Sequence, residues 1–162
     1  MGGVALIVQQ QRRALAEESE ALRTAMQKVL PGPADRLRRS SDVIGVLCPY
    51  QPLEGRAGAL VEATLRGLPP AAEIDLIVLL GTDHHPGLQP FAITDKRYAT
   101  PLAALPAGAA LVAALERRLP WIKREELRHR EGMSLELGAL ALGHIYGDAC
   151  PPVLPVLCGQ TA

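Results

Sequence analysis

The stretch LIVLLGTDHHPG, Leu76 to Gly87, decides the reading of this chain. An apolar run of strand length ends at Gly81, and Thr82, Asp83, His84 and His85 follow it directly. The run predicts a central parallel strand with Ile77 and Val78 buried. On either side, strand-length runs alternate with helical patterns. VIGVLC (Val43–Cys48) reads as a strand and GRAGALVEATLRGL (Gly55–Leu68) as a helix stopped before Pro69 and Pro70. Glu73–Gly81 is the second strand and Phe91–Asp95 a short third. Ala107–Leu119 is a helix closed by Pro120, Ser134–Tyr146 is another, and Pro152–Gly159 is the last strand, with Pro155 marking it as an edge or irregular one. Strands separated by helices predict an α/β fold with a mainly parallel sheet covered by helices on both faces.

The N-terminal part has a different texture. Gln9–Leu30 reads as an amphipathic helix with Leu15, Leu22, Met26 and Val29 on one face. PGPADRLRRSS (Pro31–Ser41) is polar, basic and proline-broken, which suits a linker. The expected division is therefore a helix and linker over residues 1–41 and an α/β domain over 42–162.

Composition excludes several function classes. Of 162 residues, 17 are basic and 17 acidic, so charge gives no reason to expect nucleic acid or an anionic membrane as partner. No apolar run is long enough to span a bilayer, and no positive residue precedes the short apolar run of MGGVALIVQQQRR, as a secretory signal would require. Three cysteines, Cys48, Cys150 and Cys158, fit reduced thiols in a cytoplasmic protein better than a disulfide framework. Aromatic residues make up only 3%, so the core must be aliphatic. Gly55, Gly58 and Gly67 do not make a dinucleotide loop, and no nucleotide cofactor is expected.

In open α/β sheets, ligands bind beyond the carboxyl ends of the strands. Those ends carry Cys48, then Asp83, His84 and His85, then Cys158. Imidazole and thiolate suit Zn, Cu or Fe(II), and Asp83 could orient an imidazole. The competing reading is a surface turn with inert buried cysteines, since no C-x-x-C or H-E-x-x-H spacing is present. Ser134 reads as a helix cap, KREELRHRE (Lys123–Glu131), with His129, as a solvated face, and His144 as a packing histidine.

The order of these segments resembles the Memo-like family, also called AmmeMemoRadiSam system protein B, whose fold is similar to class III extradiol dioxygenases. GTDHH (Gly81–His85), YATPLAAL (Tyr98–Leu105), GMSLELGAL (Gly132–Leu140) and LPVLCG (Leu154–Gly159) look like successive family motifs. The resemblance implies that His84 is a metal ligand and His85 its retained neighbour. Counting back from Gly55, the family's other metal-binding histidine falls on Cys48; a one-residue gap would place Tyr50 there instead. A further family histidine falls on Met133, which cannot transfer protons. The family's cysteine ligand comes after the last matched strand, where this chain stops at Ala162, and a truncated piece of a longer chain is one reading of that stop.

Two functions follow. In one, His84 and Cys48 hold a divalent or copper ion (Zn, Cu or Fe), and His85 and Asp83 serve small-molecule redox or metal-assisted chemistry. In the other, the chain is a non-catalytic scaffold with a degenerate site. Gln9–Leu30 would then pair with a second copy or with a companion subunit.

Overall fold

A computed structural model describes residues 55–84, 90–131 and 133–159, together with Ala16, Glu17, Glu20, Ala21 and Thr24, which are helical and exposed. The rest of the helix expected over Gln9–Leu30, the linker over Pro31–Ser41 and the strand expected over Val43–Cys48 lie outside the described residues.

Periodicity locates the main elements well. Helix α1 spans Gly55–Arg66, α2 Ala109–Arg118 and α4 Glu136–Tyr146. Strand β1 spans Ile77–Thr82, β2 Phe91–Ile93 and β6 Val153–Cys158. Glu73 belongs to a short 3-10 turn before β1 rather than to the strand. Four short elements fall between these. They are β3 (Tyr98–Ala99), β4 (Ala104–Leu105), β5 (Ile122–Arg124) and α3 (Glu126–Glu131).

The main sheet has the order β1-β6-β2-β5. β1 runs parallel to β6, and β2 parallel to β5, while β2 and β6 are antiparallel. The sheet is therefore mixed and mostly parallel. One face carries α1 and α4, whose Val61, Leu65, Ala139 and Leu142 pack with Val153 and the partly buried Ile77 and Leu79. The other face carries α2, where Val112 meets Ile93, Ile122, Leu154 and Val156. The separate β3–β4 hairpin closes on Thr100, whose hydroxyl donates to the Ala103 carbonyl (2.9 Å) and accepts from the Ala103 N–H (3.0 Å).

Two expectations about the sheet are reversed. Ile77 and Val78 are not in its centre: β1 is an edge of the described sheet, and Val78 is 51% exposed. Its burial alternates along the strand, because Ile77 and Leu79 face α4 while Val78 and Leu80 point the other way. β6 takes the central place and is buried at its first five residues, in spite of Pro155. The carbonyls of Pro152 and Cys158 accept hydrogen bonds from the N–H groups of Ile77 in β1 and Asp83 just beyond it. By alternation, the backbone nitrogen of Pro155 therefore points towards the β2 side, one step past the last β2–β6 pair, Ile93 with Val156. No ladder bond is lost where the proline sits.

Candidate functional site

Leaving β1, the chain turns its side chains from apolar to polar within three residues. Gly81 is required here by contact. A Cβ at this position would lie 2.5 Å from Leu135 Cδ2 and 2.6 Å from Ser134 Oγ. The loop before α4 thus packs directly on the strand's backbone. Leu135 is fully buried with Ala92 and Leu157 and anchors that loop. Ser134 does not cap α4, whose N-cap is Leu135 with no side-chain cap bond. Its hydroxyl is buried and has no partner among the described residues.

Asp83 follows, with its N–H donating to the Cys158 carbonyl (2.8 Å) and its side chain fully buried. Arg128 of α3 reaches it from 45 positions away. Its Nε donates to Oδ2 at 2.5 Å, and a terminal guanidinium nitrogen ion-pairs with the same oxygen. The other terminal nitrogen stands 3.2 Å from Glu125. A carboxylate stripped of water is stable only with such a partner. Asp83, the residue expected to take part in catalysis, makes this ion pair with Arg128. His84, the next residue, is exposed. His85 and Cys48 lie outside the described residues.

α3 contradicts the expectation of a solvated face. Its leucine, Leu127, is 68% exposed, while Arg128 and His129 are buried. Hydropathy misplaces this helix because its inward face is polar and satisfied by specific partners. The His129 Nε2–H donates to the Ala92 carbonyl (3.1 Å), and the ring meets Tyr98 edge-on, with centroids 6.3 Å apart. The Tyr98 hydroxyl donates to the His129 carbonyl (3.3 Å), and Thr94 donates to Glu126 (2.6 Å). Burial pushes the His129 imidazole below its usual value. The bond to Ala92 and the charges of Glu126 and Asp83 oppose that shift, and Arg128 adds to it. Burial and, secondarily, Glu136 raise the Tyr98 phenol.

Residues 13–161 match the family of Memo-like proteins. The chain belongs to the Memo-like family. A search of curated proteins finds no match. In this Memo-like chain, Met133 is 67% exposed.

A metal ion is the group the family resemblance implies, and the described residues do not make a site for one. Among them, no three His, Cys, Asp or Glu side chains come together as a ligand set. His84 offers one imidazole, while the neighbouring carboxylate of Asp83 is engaged by Arg128. Cys158 is half-buried, and burial raises its thiol; Cys150 is buried and pushed up to about 11. Neither thiol is poised as a thiolate at neutral pH. No helix among the described residues is long and apolar enough to cross a membrane.

Arg128 is the site residue that sequence reading missed. Its weak signal was the spacing from Glu125, an i,i+3 pair opening a short segment after Trp121 and Ile122.

Proposed function

We propose that this Memo-like protein is a non-catalytic binding module that keeps the family core and uses the strand-end position as part of its framework. The buried Asp83–Arg128 pair carries this reading. That carboxylate is engaged by a guanidinium, and Met133 supplies no proton. Val78 and Leu80, 51% and 65% exposed on one side of β1, support association through an apolar surface. The partner proposed is a second copy of the chain or a companion subunit, with Gln9–Leu30 contributing. Light scattering after size exclusion tests self-association: a dimer is expected, and Val78→Lys with Leu80→Lys should yield monomer. A wild-type monomer that also fails to associate with a companion subunit counts against the module.

A second reading is favoured by the exposure of His84 at the end of β1. Here His84, with Cys48 as second donor, binds Zn, Cu or Fe(II), and metal-assisted or redox chemistry on a small molecule is the class that follows. Elemental analysis after reconstitution of wild type, His84→Ala and Cys48→Ser tests it. Stoichiometric metal lost in both variants supports a His–Cys site. Loss in His84→Ala alone removes Cys48 from the ligand set. No metal in any of the three leaves the binding module.

A further inference from the structure

α3 is held to the sheet in an unusual way. It has six residues, its leucine faces outward, and its described attachments are polar: Arg128 to Asp83 beyond β1, Glu126 to Thr94 beyond β2, and His129 to Ala92 and Tyr98. A short segment whose described contacts are polar rather than apolar is held in place by those contacts alone. Its docking depends on the charge state of each group at its base.

We propose that α3 is an acid-released latch over the carboxyl end of β1, with His129 as the proton sensor. A carbonyl only accepts, so the bond to Ala92 fixes the neutral ring as the Nε2–H tautomer. An added proton must then go to Nδ1, which is buried and has no hydrogen-bond partner among the described residues. The resulting imidazolium would be buried beside the Arg128 guanidinium. The groups around it are Asp83 beyond β1, Glu126 and Arg128 on α3, and Tyr98 on β3. Asp83 is taken by Arg128 and one oxygen of Glu126 by Thr94; the other Glu126 oxygen is buried without a hydrogen-bond partner among the described residues, and its charge opposes the shift without a hydrogen bond to Nδ1. Release of α3 lets His129 charge in water and separates Arg128 from Asp83, which opens the position next to His84.

The sign is set by linkage. The docked imidazole binds its proton less readily than the undocked one, whose ordinary value is about 6.5, so acid favours the open state. Hydrogen exchange read by mass spectrometry on the full chain tests this, comparing residues 126–131 with α4 at pH 7.5 and 5.5 after correction for intrinsic rates. Below pH 6.5, opening of residues 126–131 should rise by up to about tenfold per pH unit, while α4 stays protected. His129→Gln keeps an amide donor for Ala92 and loses the titration, so its opening should be flat with pH. A wild type with no rise, or a variant that rises equally, overturns the latch. If the variant does not fold, an NMR titration of the wild-type His129 ring decides: a midpoint below 6.5 supports the latch, and one at or above 6.5 overturns it.

Discussion

Arg124 and Arg128 stand four residues apart, each between two carboxylates, and the fold treats them differently. Arg124 bridges Asp95 and Glu116 at the rim of β5, with a third of its side chain in water. The Glu116 bond, more than burial, sets the direction for both partners there: Arg124 is raised and Glu116 is lowered. Arg128 bridges Asp83 and Glu125 with 9% of its side chain exposed and its main partner wholly buried. The same chemistry is a surface decoration in one place and a structural requirement in the other. Desolvation makes the difference: a screened pair can be lost cheaply, whereas a buried charge cannot be left alone.

Removing one partner of each pair should expose the contrast. Arg128→Met strands the Asp83 carboxylate and should cost about 3–5 kcal/mol in urea unfolding. If the cost is no larger than that of a surface substitution, the pair is not buried as described. Gly81→Ala probes the same junction by volume rather than charge. Its Cβ would press on Leu135 and Ser134, and a loss of about 1–3 kcal/mol is expected by thermal unfolding. Lowering the pH from 7.5 to 5.5 should weaken the wild type as His129 is driven to charge, and His129→Gln should flatten that dependence. The smallest effect belongs to Arg124→Ala, which should unfold with wild type within error; a large loss there would erase the contrast.

The division between what the sequence reveals and what it hides follows the same line. β1, β6, α1, α2 and α4 are legible because each carries a local apolar period. That β6 rather than β1 is central in the described sheet is not, since both read as apolar runs of strand length and the outcome rests on where β2 pairs. Pro155 misleads because a missing donor matters only on the side where a ladder continues. α3 is hidden more thoroughly, because a helix that turns Leu127 outward and Arg128 and His129 inward inverts the hydropathy rule. Among the candidate site residues, the place of His84 just beyond a strand end is legible. The pairing of Asp83 with Arg128 is not, because the two are 45 positions apart.

The most direct test is a double-mutant cycle on Asp83→Leu and Arg128→Met, measured by urea unfolding. Each single change should be strongly destabilising and the double variant much less so, with a coupling of about 2–3 kcal/mol, since two apolar side chains can replace a buried ion pair. Costs that add to within about 0.5 kcal/mol would contradict the account. They would mean that Asp83 and Arg128 are not joined, and that the carboxylate beside His84 is available for chemistry.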